Sequence, residues 1–385
     1  MNRFKRWTLA LVSFSVVALL APYSQAEPLT DKQQAAVNKG LEWLKKNQVK
    51  DGTWSAGGQN PVAMTSMAGL AMLCEGSTVT QGKYRDSIRL AADWLMKRSM
   101  KGGNRDGLIG NPDHPSESGR YMYGHGFAML FLASVYGEED DVKRREELKG
   151  ILTRAVTYCG SAQSKHNEQG VAFGGWFYTS AAEGHNSDEG SVTVTQMQGL
   201  RACRDAGIPV PKEIMKKGFE YLRKSTDQQG GVVYSYARGG GGVAAGGGRP
   251  ALTAAAIACL FSAGEYKDPY IKKWFKFCEN QNLLQGGGIA AGNRIAFDEY
   301  MQFYLAPSIY FLGEDGWSKL FGGEKGTGVT WKKYKANFFE GVMRAQTADG
   351  SWQGGGGWSI GPIYSTSVYC VIMQLDNNCL PVFQR

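Results

Sequence analysis

A unit of about 60 residues recurs six times along this chain, and it constrains the fold more than any single motif. Each unit reads as a helix, a Gly-rich loop carrying one aromatic or aliphatic residue, and a second helix. The first loop runs from Gln48 to Trp54 and contains Asp51-Gly52-Thr53-Trp54; the last runs from Gln346 to Trp352 and contains Asp349-Gly350-Ser351-Trp352. Between them lie Asp106-Gly107-Leu108-Ile109, Gly174-Gly175-Trp176-Phe177-Tyr178, Gly230-Gly231-Val232-Val233-Tyr234 and Gly286-Gly287-Gly288-Ile289. Taking Trp54, Ile109, Trp176, Val233, Ile289 and Trp352 as equivalent gives steps of 55, 67, 57, 56 and 63 residues. Unequal steps of this kind are what loop insertions between helices produce.

Ahead of each loop is an amphipathic stretch with basic residues between its apolar positions, such as Val37, Leu41 and Leu44, or Ile214, Phe219, Tyr221 and Leu222. After each loop comes a run of small and apolar residues, such as 65–73, 127–135 or 253–260, with Gly76, Gly137, Gly207, Gly264 or Gly313 as a helix stop. One such pair leaves its small-residue helix uncovered, so the pairs must pack side by side. The expectation is an all-α chain, an α/α toroid of six helical hairpins with lysine-bearing helices outside and Ala/Ser/Thr-rich helices inside. Periodicity alone also permits an open superhelical array.

The repeat runs from about Asp31 to about Leu380 without a linker, which makes residues 27–385 one domain. Residues 1–26 read as a secretory signal peptide, with Arg3, Lys5 and Arg6 ahead of the apolar run 9–21 and Ser24-Gln25-Ala26 at the cleavage point. The apolar run is short for a bilayer span. The mature chain is therefore expected to start near Glu27, to carry no membrane span, and to reside in the periplasm or outside the cell. Its net charge falls from +8 to +5, with Lys45, Lys46, Arg144, Arg145, Lys216, Lys217, Lys272 and Lys273 spread over outer helices. That spread argues against a nucleic-acid partner. Seven cysteines leave at least one unpaired within a monomer. Cys74, Cys203, Cys259 and Cys370 read as small buried residues, and there is room for one disulfide, for instance involving Cys159 or Cys379.

The Gln48–Trp54 and Gln346–Trp352 loops, the Gly-Gly-Trp at 174–176 and the Thr-x-x-Ala-x-x-x-Leu type of helix start resemble the prenyltransferase and squalene-oxidase repeat superfamily. That superfamily includes squalene-hopene cyclases and the β subunits of protein prenyltransferases. The resemblance covers essentially the whole mature chain and implies the α/α toroid. Within it the chain is similar to exported bacterial repeat proteins through Tyr123-Gly124-His125-Gly126-Phe127-Ala128, 191–196 and Asp298-Glu299-Tyr300-Met301-Gln302-Phe303-Tyr304. The acid of triterpene cyclases, an Asp-x-Asp-Asp helix start, does not occur; the matching segment 249–254 has no acid. Of the prenyltransferase zinc ligands only Asp298 matches, Tyr300 and Ser365 standing at the other two places. Neither a thioester motif nor the Cys-His pair of a lanthionine-cyclase zinc site is found. No metal or cofactor is expected.

In a closed ring the repeat register brings the loops before the inner helices to one mouth. It places His114, His125, His185, Asp188, Glu189, Asp298 and Glu299 there, with Tyr121, Tyr123, Tyr178, Tyr236, Tyr300, Tyr304 and Tyr364. His125 ranks first among candidate catalytic groups because its flanking glycines admit a ligand or a backbone, though a helix-start histidine bonded to a neighbouring loop fits equally. Asp188, Glu189, Asp298 and Glu299 are the candidate acids and bases; helix capping also accounts for them. The tyrosines are candidate ligand contacts. Trp54, Trp176 and Trp352 read as staples between repeats. The runs 239–242, 246–248 and 354–357 lack the Lys-Ser/Thr of a phosphate loop and read as rims of the cavity. The leading expectation is a protein that binds a terpenoid, lipid or peptide segment in its central cavity. Acid/base catalysis on a terpenoid or carbohydrate, and an envelope scaffold working through its outer face, are the alternatives.

Overall fold

The computed structural model describes residues 28–165, 174–237, 247–286, 298–322, 328–354 and 360–384. The signal segment and the glycines at 239–242, 246, 287–288 and 355–357, with Ile289, lie outside them. Thirteen α-helices occur among the described residues, joined by loops with isolated β-bridges only. Six form the inner wall: α2 (Pro61–Cys74), α4 (Tyr121–Gly137), α6 (Gly190–Asp205), α8 (Pro250–Ser262), α10 (Glu299–Leu312) and α13 (Pro362–Met373). Six lie outside: α1 (Asp31–Lys46), α3 (Arg85–Lys97), α5 (Val142–Ala162), α7 (Lys212–Lys224), α9 (Pro269–Asn280) and α12 (Trp331–Ala345). A short α11 (Gly316–Phe321), not foreseen, follows α10. Each inner helix packs on the next, and α13 packs on α2, so the ring closes and the open array is excluded.

Composition sorts the two layers. In α2 every residue from Val62 to Cys74 is buried, because neighbours cover it on all sides. In α1 only Ala36, Val37, Gly40, Leu41 and Leu44 are, one stripe facing inward. Gly76, Gly207, Gly264 and Gly313 follow inner helices at positive φ, which favours glycine, as expected of helix stops. Gly137 differs: it is the last residue of α4, and Glu138 caps the helix with negative φ.

The loops carry the closure. Gln48 Nε2 donates to Gly52 O of its own loop and to Ser87 O of α3; Gln163 does the same to Gly174 O and to Ile214 O of α7. Gln346 Nε2 donates to Gly350 O and, at 2.8 Å, to Ala36 O of α1, so the sixth repeat engages the first. The loop glycine lies against the same outer helix. A Cβ on Gly52 would stand 2.6 Å from the Leu90 backbone of α3, and one on Gly350 would stand 2.7 Å from Lys39 O of α1. Both have φ of +96°, so the turn and the close approach each require glycine.

The other end of the ring is crossed by the chain's own C-terminal segment. Asp376 accepts from Trp331 Nε1 and pairs with Lys335 at 2.9 Å, both carboxylate and ammonium buried. Asn377 Nδ2 reaches Cys74 O and Gln374 Nε2 reaches Ala71 O. The turn Pro381–Phe383 packs on α6, which stands opposite α13 in the ring, with Val382 and Phe383 buried. No helix among the described residues is long and apolar enough to cross a membrane.

The seam is therefore expected to behave as core. Gly350→Ala should cost about 1–3 kcal/mol through strained φ and collision with α1, and Gln346→Ala about 1–3 kcal/mol through two lost hydrogen bonds. Denaturant midpoints measure both. Losses below about 0.5 kcal/mol, the level of ordinary surface substitutions, would mean that residues 346–350 do not meet α1.

Candidate functional site

Five inner helices, those whose loops are described, each accept one N–H of that loop on a side chain. Thr65 Oγ1 accepts the Trp54 N–H, Thr193 the Trp176 N–H, Thr253 the Val232 N–H and Thr366 the Trp352 N–H, at 2.9–3.1 Å. The fourth loop therefore registers on Val232, one residue before the Val233 expected. Trp54, Trp176 and Trp352 are buried and donate Nε1 to Leu44 O, Cys159 O and Val342 O of the preceding outer helix, which fixes the loop from its other side.

His125 takes the threonine's place in the second repeat. Its Nδ1 accepts the Ile109 N–H at 3.1 Å and its Nε2 faces Ala155 O at 3.3 Å. Those partners assign the proton to Nε2. The ring is fully buried, and burial lowers its pKa from 6.5 to about 4. The flanking glycines admit no ligand: Cβ atoms there would meet Val62 of α2 and Thr195 and Gln196 of α6. His125 is thus a part of the frame and not the mouth group that sequence ranked first.

Asp188 is likewise committed. Buried, it accepts from Tyr221 Oη, Ser235 Oγ and the N–H groups of Tyr236 and Ala237, all at 2.8–3.0 Å. Burial raises its pKa against those bonds. It anchors the turn into the fourth loop, and Tyr236 is held there through its backbone. His185 is exposed, its carbonyl accepting the Ser187 N–H, and His114 is exposed and bonded to Ser116, so neither joins an acid cluster. Tyr121 Oη donates to Glu183, which pairs with Arg105, and accepts the Ser180 N–H. No group of three or more His, Cys, Asp or Glu side chains suited to a metal occurs among the described residues.

What remains of the expected set converges inside the ring. Glu189 caps α6, accepting the Val192 N–H at 2.8 Å, the Ser191 hydroxyl at 2.5 Å and the Tyr123 hydroxyl at 3.4 Å. Among the described residues all its bonds reach Oε2. Burial raises its pKa against those bonds. Tyr123 also bonds Ser191, and its ring lies 5.8 Å from that of Tyr178, whose hydroxyl bonds Tyr234. Tyr300 and Tyr304 stack edge to face at 5.2 Å, and Tyr304 Oη is 3.4 Å from Thr195 Oγ1. Two helices further round the ring Asp298 caps α10, burial raising its pKa, and Glu299 Oε1 accepts the Ser365 hydroxyl at 3.0 Å. Burial raises the pKa of Tyr300 and Tyr364, and the charge of Glu189 adds to this at Tyr300 and those of Glu299 and Asp298 at Tyr364. Among the described residues the hydroxyls of Tyr300 and Tyr364 are buried without a hydrogen-bond partner, and Tyr364 is only 2% exposed.

The interior is not an open tunnel. Phe127 of α4 and Phe303 of α10, from opposite helices of the ring, meet edge to face with centroids 6.2 Å apart. With Thr195 and Tyr304 they form a partition across the lumen. Phe303 is four residues and Phe127 six residues past the first residue of its helix, so the partition stands about 6–9 Å along the helices from their starts at 1.5 Å per residue. Ser191, Thr195, Tyr234, Ser365, Phe127 and Phe303 were not picked out from sequence as contacts of this site. The Ser191 and Thr195 spacing, one helical turn on the most polar inner helix, is the signal that would have found two of them.

The buried imidazole makes a pH prediction. Unfolded His125 takes a proton below about pH 6.5 and folded His125 only near 4, so wild-type stability should fall as pH drops through that window, by about 3 kcal/mol in full. His125→Thr restores the repeat's usual acceptor and should remove this slope, whatever its baseline. Urea midpoints of both proteins between pH 4.5 and 7.5 measure the difference; parallel curves would put His125 in contact with solvent.

No protein-family model matches the chain, and no curated protein matches it. Among solved structures it is similar to the apo form of the type II terpene cyclase MstE from Scytonema, at 13% identity over 92% of this chain and 100% of that one, with a TM-score of 0.54. It is similar to a glycosidase variant in complex with glucose, at 10% identity, 92% and 100% coverage and a TM-score of 0.54. A D-mannose isomerase aligns at 11% identity over 90% of this chain and 99% of that chain, with a TM-score of 0.58. Identities this low carry the all-α toroid fold, and the fold is what these proteins have in common with the chain.

Proposed function

We propose that this toroid is a binding protein whose inner-helix mouth receives the oxygen-bearing end of an apolar ligand of the terpenoid or lipid class. The observation that carries this reading is the Tyr364 hydroxyl, buried near Tyr304 and Glu299 and without a partner among the described residues. A buried polar group left unpaired calls for a partner. A ligand hydroxyl or carbonyl would supply one, with the Tyr300 hydroxyl as a further donor. The aromatic partition restricts entry to the ligand's end, with the body lying toward the mouth. Alkene protonation is disfavoured, because a carboxyl whose pKa burial has raised is a weaker acid. Carbohydrate chemistry is the second reading, favoured by carboxyls on two inner helices, Glu189 at α6 and Asp298 and Glu299 at α10, that act on the same tyrosine cluster.

Native mass spectrometry and calorimetric titration with geranylgeraniol and oleic acid, beside glucose and mannose, test the two readings. Tyr364→Phe should weaken binding of the first pair about tenfold while leaving the unliganded protein as stable or more so, since it removes an unpaired hydroxyl. Saturation by the hexoses alone would favour the carbohydrate reading, and binding of neither class would sink both.

Export belongs to the same proposal, since residues 1–26 have the form of a cleaved signal. Intact mass of the protein from an envelope or medium fraction should correspond to a chain starting at Glu27. A mass that retains Met1–Ala26 would refute cleavage.

A further inference from the structure

The ring is closed at its seam by hydrogen bonds and packing, and two cysteines stand where a covalent bond would complete the closure. Asn377 Nδ2 donates to Cys74 O, the last carbonyl of α2, at 3.1 Å. Cys379, two residues on, donates its thiol to Asn377 O at 3.6 Å. Its Sγ lies 3.8 Å from the point where Gly76, two residues after Cys74, would carry a Cβ. The C-terminal segment thus folds over the end of α2 and brings both thiols to one corner of the seam. Cys370 also belongs to the sixth repeat but is turned to α1: its Sγ faces Val37 O and lies 2.7 Å from a Cβ built on Gly40.

We propose that Cys74 and Cys379 form a disulfide that clasps the sixth repeat to the first. Exposure sets the order of events. Cys379 is the partly exposed cysteine, and the other six are buried. A small-molecule or protein disulfide is the oxidant. The Cys379 thiolate attacks one of its sulfurs and expels one thiolate, leaving a mixed disulfide on Cys379. Cys74 then gives up its proton and attacks the Cys379 sulfur, expelling the second thiolate. Two protein thiols are oxidised and one external disulfide is reduced to two thiols. Burial holds the Cys74 thiol well above its usual pKa, so the second step waits on brief lifting of the tail. The bond would close a loop spanning most of the chain, the arrangement in which a crosslink most restricts the unfolded state. It does not depend on what the mouth binds.

The test uses the purified full-length chain, equilibrated with oxidised glutathione and alkylated before non-reducing tryptic mapping. Trypsin gives one peptide, residues 51–83, with Cys74 alone, and another, residues 345–385, with Cys370 and Cys379. The expected result is these two joined, with loss of two hydrogens. The link should persist in Cys370→Ser and vanish in Cys379→Ser, and oxidised wild type should melt several degrees above its reduced form. Full alkylation of Cys74 with glutathione left on Cys379, a link that survives Cys379→Ser, or a link without a gain in melting temperature would each overturn the clasp.

Discussion

Everything in this ring hangs on a backbone N–H that must find an acceptor inside the protein. The residue after the loop glycine's neighbour, Trp54, Ile109, Trp176, Val232 or Trp352, enters the core as a side chain and carries its amide with it. A buried amide without a partner costs about 1–3 kcal/mol, so the first turn of each inner helix must offer an oxygen or a ring nitrogen. Thr65, His125, Thr193, Thr253 and Thr366 do so. The glutamine and glycine of the same loop then fix it to the following outer helix. One loop thereby binds three helices. Repeated round the ring, it leaves no terminal repeat to fray.

This frame decides which polar side chains are left for a ligand. The first turns of the inner helices are the positions nearest the mouth, and the frame takes one side chain from each of the five described loops. His125 looked functional in sequence because flanking glycines admit a ligand, and Asp188 because it stands with Glu189 among candidate acids and bases. Their burial among backbone donors and acceptors shows them serving as parts of the scaffold. Glu189 escapes in part, since all its bonds fall on one oxygen.

The layers were legible in sequence because two different periodicities alternate: basic amphipathic stretches such as Ile214–Leu222, and all-apolar ones such as Thr253–Leu260. The loop glycines marked their boundaries. Closure was not legible, because Gln346 and Gly350 have the same form whether the next outer helix is α1 or solvent. The one-residue slip at Val232 arose because valine occupies both 232 and 233, and only the N–H to Thr253 tells them apart. In the site, the acids at 188–189 and 298–299 looked equivalent in sequence. Their environments separate them: Asp188 faces loop amides and Tyr221, while Glu189 faces tyrosines.

The partition formed by Phe127 and Phe303 links the architecture to what the ring is able to do. Six helices at ordinary packing distances leave an axis too wide for small residues to fill, so large side chains must reach across from opposite walls or the axis stays hollow. Here they reach across near the second turn, while the C-terminal turn Pro381–Phe383 covers the far end. The lumen is therefore divided, and only its tyrosine-lined upper part faces the mouth. A single set of aromatic choices at positions such as 127 and 303 would then set the depth to which a ligand enters, without disturbing the loop hydrogen bonds that hold the ring.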